Sequence, residues 1–299
     1  MPLPARRARG WWVSVRGGWV GARADDRVQR ARRPQEHRMS TRTTPQPDGT
    51  PCWAELSVPD LDAARRFYGA LFGWDWQIGP AETGFYSQAL VEGRPAVALN
   101  GYRPDPDAPV QWLTFLAAAD ATATAQRAVA AGAHLLAGPM DVMDAGAMAV
   151  LRDPAGAVVA LWQAGTSIGA EVVDEHGSLA WSEHMSDRPS AAREFYPALF
   201  GLDLQDISAP GFDYTTLVRG EEPVAGIGGG SERPEWALYL AVADTDAVVA
   251  RAQDLGATLH LDPEDSPYGR LAGITGPFGE RFWVMGPVTE DGAAAATAG

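Results

Sequence analysis

Residues 53–77 read WAELSVPDLDAARRFYGALFGWDWQ, and residues 181–205 read WSEHMSDRPSAAREFYPALFGLDLQ. The offset is 128 without a gap, and thirteen of the twenty-five positions are identical. The shared pairs include Trp53/Trp181, Glu55/Glu183, Arg65/Arg193, Phe67/Phe195, Tyr68/Tyr196, Phe72/Phe200 and Gly73/Gly201. A match of this quality at fixed spacing marks an internal repeat. A second block recurs at an offset of 124, where Trp112, Phe115, Asp120 and Gly132 correspond to Trp236, Tyr239, Asp244 and Gly256. Both copies close on related turns, DPAGAVVALW from Asp153 and GPFGERFWVM from Gly276. The chain thus divides into domain one at 50–165, a polar linker at 166–177 and domain two at 178–288.

Each copy carries the same order of local signals. Trp53 to Val58 alternates between two prolines, as a strand does. Asp60 is placed to cap a helix, Leu61, Ala64, Tyr68 and Leu71 share one helical face, and Gly73 suits the position just past its end. Strands are expected at 74–78, 85–91 and 95–102, with a turn through Glu92 and Gly93. The order recurs with a strand at 110–117, a helix at 121–131 and three more strands. Strands interleaved with two helices per domain predict an α+β fold with a curved, largely antiparallel sheet.

The flanks differ from the body. Residues 1–42 hold eleven Arg against Asp25, Asp26 and Glu36, a balance of +8, so the overall −14 leaves −22 for the rest. Residues 1–49 are expected to be a disordered Arg-rich extension, with Met39 a plausible start, and 289–299 a disordered tail. The apolar run Trp11 to Val15 is shorter than the ~7 residues a secretory signal needs. No stretch approaches the ~18 apolar residues of a membrane span. An acidic body repels nucleic acid and anionic membranes, so neither is an expected partner. Cys52 is the only cysteine, which precludes an intramolecular disulfide and fits a cytoplasmic location.

The motif Val58-Pro59-Asp60-Leu61, then Phe67-Tyr68 and Leu71-Phe72-Gly73, resembles the vicinal oxygen chelate superfamily, as does Asp153-Pro154-Ala155-Gly156 before a strand. That superfamily includes glyoxalase I, extradiol dioxygenases, fosfomycin resistance proteins and bleomycin-binding proteins. Within it the chain is most similar to two-domain actinobacterial glyoxalase-like proteins, often labelled hydroxylase. The resemblance covers about 230 residues and implies paired βαβββ modules around a cleft in each domain. In metal-dependent members His and Glu side chains in that cleft bind a divalent ion. Position by position, those ligands fall here on Trp53 and Trp181, near Ala98, on Gln111-Trp112-Leu113 and Glu235-Trp236-Ala237, and on Ala160 and Trp283. No metal and no other cofactor is therefore expected. His134 and His260 sit on outer strands, and His184 faces away from Glu183 because strand neighbours alternate.

Alternation sets Trp53, Glu55 and Ser57 on the cleft face of domain one, and Trp181, Glu183 and Met185 on that of domain two. Trp112 and Trp236 are expected to fill the same clefts or their rims. Glu55 and Glu183 are the candidate acid/base groups, since apolar surroundings raise a carboxyl pKa. The competing structural account pairs each Glu with Arg65 or Arg193. Gly228-Gly229-Gly230 reads as a flexible loop. The leading functional expectation is a metal-independent protein that sequesters or carries a neutral or cationic metabolite. The alternatives are an isomerase, cyclase or hydrolase using a cleft Glu as general base, and a metal-dependent lyase or dioxygenase. Whether the chain is an enzyme stays open. A monomer with pseudo-dimeric domains is expected, with a homodimer as the alternative.

Overall fold

The computed structural model describes residues 41–103 and 105–288. Most of the Arg-rich extension and the tail from 289 lie outside the described residues. In domain one the first module is β1 (Pro51–Ser57), α1 (Leu61–Phe72), β2 (Asp75–Ile78), β3 (Ser87–Val91) and β4 (Arg94–Asn100). The second is β5 (Trp112–Ala117), α2 (Ala121–Ala130), β6 (His134–Val142), β7 (Gly146–Arg152) and β8 (Val158–Ala164). Domain two repeats the plan with β9 (Leu179–Ser186), α3 (Pro189–Phe200), β10 (Asp203–Asp206), β11 (Tyr214–Arg219) and β12 (Glu222–Gly229). Its second module is β13 (Glu235–Ala241), α4 (Thr245–Asp254), β14 (Thr258–Ser266), β15 (Gly269–Thr275) and β16 (Arg281–Gly286).

Each domain is one open eight-stranded sheet, in the order β2-β3-β4-β1-β5-β8-β7-β6 and its counterpart β10-β11-β12-β9-β13-β16-β15-β14. The two modules meet where β1 lies antiparallel to β5. Within each module the first and last strands are parallel, β1 to β4 and β5 to β8, and the remaining ladders are antiparallel. This is the α+β fold of tandem βαβββ modules that the repeat implies. Among the described residues no helix is long and apolar enough to cross a membrane.

Local chemistry explains the elements. Asp60 caps α1 by accepting a hydrogen bond from Ala63 N at 2.9 Å, and Gly73 ends it in the left-handed region at φ 71°. Asp120 and Asp244 cap α2 and α4 in the same way. α3 has no side-chain cap and starts instead on Pro189, whose fixed φ suits the first helical position.

The cores do not follow the domain boundaries. One joins Leu56, Tyr68, Phe72 and Leu99 of domain one to Leu238, Val249, Ile274 and Phe282 of domain two. The other joins Leu116, Ala128, Leu151 and Leu161 to Phe195, Leu199, Leu217 and Ile227. Each core thus pairs the first module of one domain with the second module of the other. Every buried Leu or Ile across this seam contributes roughly 1.5–3 kcal/mol relative to exposure.

Two buried tyrosines cross the seam. Tyr196 donates to Asp153 Oδ2 at 2.6 Å, and Tyr68 donates to Glu280 Oε1 at 2.7 Å. His184 Nε2 lies 3.0 Å from the same Asp153 oxygen. Burial alone would push the Asp153 carboxyl up, but His184, Tyr196 and Ala157 N–H together hold it below the usual range. The two turns reach one arrangement by different residues. Domain two has Gly276 where domain one has Asp153, and Glu280 where domain one has Ala157. A Cβ on Gly276 would sit 2.2 Å from Glu280 Oε1, so the Glu280 carboxyl occupies the place of the missing Asp side chain.

Three expectations are corrected. Residues 41–49 are not a free lead-in: Thr41 bridges Val172, Arg42 N donates to Glu171 O at 2.8 Å, and Asp48 accepts from Ala119 N at 2.7 Å. The segment read as a polar linker buries Val172 and Val173, and Ala170 N donates to Cys52 O at 2.8 Å. Gly228 and Gly229 belong to β12 rather than to a loop. In each case backbone pairing, which composition does not reveal, holds the segment.

The turn exchange can be tested directly. Glu280→Ala leaves the Tyr68 hydroxyl buried without its acceptor and is expected to cost roughly 1–3 kcal/mol. Gly276→Asp on that background rebuilds the domain-one arrangement and should recover most of the loss in urea unfolding. A double variant no more stable than Glu280→Ala would refute the account.

Candidate functional site

β9 presents alternate residues to opposite sides. Ser182 and His184 face the interdomain core, while Trp181, Glu183 and Met185 face the concave side of the domain-two sheet. There Trp181 Nε1 donates to the Tyr214 hydroxyl at 3.0 Å, and Tyr214 donates to Glu183 Oε2 at 2.5 Å. Tyr239 donates to Glu183 Oε1 at 2.7 Å. Burial pushes the Glu183 carboxyl up, the two tyrosine hydroxyls pull it back, and the Glu235 charge adds to the rise. The net position is above the ordinary carboxylate range.

Domain one repeats the relay. Trp53 Nε1 donates to Tyr86 at 3.0 Å, and Tyr86 donates to Glu55 Oε2 at 3.2 Å. Burial again raises the Glu55 carboxyl against the Tyr86 and Asn100 hydrogen bonds. The longer reach has a local cause. Gly226 stands beside Glu183 where Ala98 stands beside Glu55. A Cβ at Gly226 would lie 1.9 Å from the Tyr214 hydroxyl, so only glycine lets that tyrosine close on the carboxylate. At the Tyr239 position domain one has Phe115, which cannot hydrogen-bond.

The domain-two relay borders a cavity of about 50 Å³ walled by Glu183, Met185, Phe212, Tyr214, Tyr239 and Trp283, with Asp213 and Glu235 also at its edge. Tyr239 stacks on Trp283 at 5.6 Å, and His260 meets Trp283 edge-on at 4.8 Å. Domain one has Ala160 in place of Trp283. It sets Trp162 against Phe115 at 6.3 Å instead, held by an indole hydrogen bond to Ser167 O at 3.0 Å.

Most of the residues singled out in the sequence come together: Trp53, Glu55 and Ser57 on one sheet, Trp181, Glu183 and Met185 on the other. Trp112 and Trp236 do not. Both are buried on the opposite face of their sheets, where Trp112 meets Tyr68 edge-on at 5.6 Å and Trp236 donates to the Tyr196 hydroxyl at 2.8 Å. The β1–β5 register puts Leu113 and Phe115, not Trp112, beside Glu55 and Trp53. Neither arginine reaches a cleft glutamate. Arg65 bonds Ser87 and Asp62, and Arg193 bonds Asp213. His134 is exposed, as expected of an outer strand, but His260 is half-buried behind Trp283. Tyr86, Tyr214, Tyr239 and Trp283 escaped the sequence reading as site residues. Tyr86 and Tyr214 carry the same offset of 128, so a longer repeat comparison would have found them.

The donor set does not fit a metal. The positions at which metal-dependent relatives place ligands hold Trp53, Ala98 and Ala160, and Trp181, Gly226 and Trp283. Among the described residues no three His, Cys, Asp or Glu side chains converge to hold an ion.

Residues 52–161 match the sequence pattern of the Glyoxalase/Bleomycin resistance protein/Dioxygenase superfamily. The chain is 37% identical over 255 residues to the anthracycline biosynthesis protein DnrV of Streptomyces peucetius, an overlap of 79% of this chain and 93% of that protein. It is also 37% identical over 254 residues to the putative glyoxylase CFP32 of Mycobacterium tuberculosis, covering 81% and 96%. The 2,3-dioxygenase LapB from Pseudomonas sp. KL28 superposes with a TM-score of 0.58 at 12% identity, covering 82% of this chain and 94% of that one. The Mn(II)-bound glyoxalase from Novosphingobium aromaticivorans gives 0.58 at 15%, covering 82% and 85%. At such identities the likeness to these two structures concerns the fold alone.

Gly226→Ala and Tyr239→Phe each copy the domain-one residue and each weaken a hydrogen bond that pulls the Glu183 carboxyl down. Both should shift the Glu183 titration upward, read by NMR of δ-¹³C-labelled glutamate. An unchanged or lower titration would contradict the relay.

Proposed function

The chain belongs to the Glyoxalase/Bleomycin resistance protein/Dioxygenase superfamily, and from that premise we propose that it binds a small molecule without a metal, in the cleft of domain two. The observation that carries this reading is the cavity itself. By the family resemblance it lies in the cleft where metal-dependent members hold their ion, and its walls include Glu183, two tyrosines and Trp283, with no cluster of metal ligands among the described residues. Concave sites with aromatic walls and few polar groups are the usual form of small-molecule sites. Domain one serves as the structural partner, with its smaller groups at the relay and Trp162 spread over its cleft. The pairing of domains within one chain supports a monomer as the working unit. The relatives' names, an anthracycline biosynthesis protein and a putative glyoxylase, support small-molecule chemistry without naming a ligand for this chain.

A second reading is favoured by one observation. The raised Glu183 carboxyl, met by two hydroxyls, has the properties of a general base poised for proton transfer. Under that reading Glu183→Gln abolishes turnover while a neutral ligand still binds. Under the binding reading there is no turnover to lose.

Elemental analysis of untagged protein, with a small-molecule screen read by tryptophan fluorescence, tests the proposal. The expected result is metal far below one ion per chain and a ligand whose binding Met185→Trp blocks while the variant keeps its melting temperature. Near-stoichiometric metal that stabilises the fold would overturn it. Blocking by Ser57→Trp and not by Met185→Trp would move the site to domain one.

A further inference from the structure

Three carboxylates border the domain-two cavity, and two of them already face an arginine. Arg193 approaches Asp213 to 2.5 Å, and Arg281 lies 3.4 Å from Glu235. Glu183 differs. It is 6% exposed, it faces the cavity, and its hydrogen bonds come from Tyr214 and Tyr239. Among the described residues it forms no ion pair with an arginine, Arg193 and Arg281 being held by Asp213 and Glu235.

An indole N–H donates and never accepts, and an ionised carboxylate only accepts. With Glu183 ionised, Trp181 donates to the Tyr214 oxygen and the Tyr214 proton points to Glu183 Oε2. Donors aimed at both oxygens favour the ionised carboxylate. A buried carboxylate with hydrogen bonds but no counter-charge is costly. Among the described residues the site therefore holds an acidic group that meets two hydroxyl donors and no paired cation.

The walls suit a cation. Tyr239 and Trp283 present a stacked pair of rings, and the Arg281 guanidinium already lies 5.2 Å from the Trp283 ring centroid, so that ring attracts positive charge. At about 50 Å³ the cavity has room for an ammonium head and the carbon that bears it, the rest of the ligand lying outside. Resting on the reading that this cleft binds a small molecule, we propose that the ligand carries a protonated primary or secondary amine, whose N–H groups bond Glu183 while the rings of Tyr214, Tyr239 and Trp283 surround it.

The other groups facing Glu183 set the pH behaviour. Tyr239 and Glu235 come from β13, Tyr214 and Asp213 from β11 and the residue before it, and Arg281 from β16. His260 on β14 packs behind Trp283. Burial first, then the Arg281 charge, lowers its pKa to about 3, so it stays neutral. Glu183 titrates above the ordinary carboxylate range when no ligand is bound. Amine affinity should therefore rise with pH as Glu183 ionises, level off, and fall again when the amine loses its proton.

The test is calorimetric titration of the full chain with benzylamine and with benzyl alcohol, its uncharged counterpart, from mildly acidic to alkaline pH. Benzylamine is expected to bind at least about tenfold more tightly than the alcohol, a difference of one desolvated charge contact. Glu183→Gln should weaken benzylamine by about thirtyfold or more, the lower end for removing one partner of a buried charge pair, and leave the alcohol unchanged. Glu92→Gln, a surface change, controls for net charge. Equal binding of amine and alcohol, or a flat acid limb in the unmodified protein, would overturn the amine assignment and leave the cleft as a binding site. If neither probe binds but an unrelated molecule is still blocked by Met185→Trp, the amine assignment falls alone. If nothing binds, both readings fall. The pH profile needs no variant, so a misfolded Glu183→Gln does not spare the proposal.

Discussion

The two largest cores of this protein are each shared between its domains. Helix α1 of domain one meets helix α4 of domain two, and α2 meets α3. The apolar backs of the two sheets are buried against each other, module to module across the seam. Burying that much apolar surface leaves no water for the polar groups trapped inside, so each tyrosine hydroxyl at the seam needs an acceptor. Asp153 and Glu280 supply it from the opposite domain. A domain separated from its partner would expose both an apolar sheet face and a stranded carboxylate. The tandem repeat is thus a requirement of the fold and not only a record of duplication.

That constraint explains why the cleft face is free to vary. On β9 the back-facing residues, Ser182 and His184, are committed to the seam, where His184 contacts Asp153. The front-facing residues, Trp181, Glu183 and Met185, carry none of that burden. Strand alternation separates the two duties within five residues. The same separation lets domain one keep Trp53, Tyr86 and Glu55 while losing Trp283's counterpart to Ala160.

Much of this was legible in the sequence because repeats and alternation are one-dimensional signals. Asp60 and Gly73 announced the ends of α1, and the period of two put Trp53 with Glu55 and Trp181 with Glu183. The misplacement of Trp112 and Trp236 has a physical reason. β5 and β13 lie at the centre of their sheets and are buried on both sides, so WLTFLA and EWALYLA offer no polar face to fix the phase. Residues 41–49 were misread for another reason: they are held through backbone groups and the Thr41, Arg42 and Asp48 side chains, and their polar composition says nothing about pairing. The tyrosines were missed because they are remote in sequence from the glutamates they serve, Tyr214 and Tyr239 on strands and Tyr86 just before one.

The two clefts also show how little separates a filled site from an open one. Gly226 in place of Ala98 lets a tyrosine hydroxyl close to 2.5 Å instead of 3.2 Å. Tyr239 in place of Phe115 adds a second donor, and Trp283 in place of Ala160 adds a wall. Each change is a single side chain on a strand whose back face is fixed by the seam, so each is available without repacking the core. A glutamate that both domains inherit is therefore a weak marker of function by itself. What distinguishes Glu183 from Glu55 is the set of neighbours that hold its charge in place and leave a space in front of it.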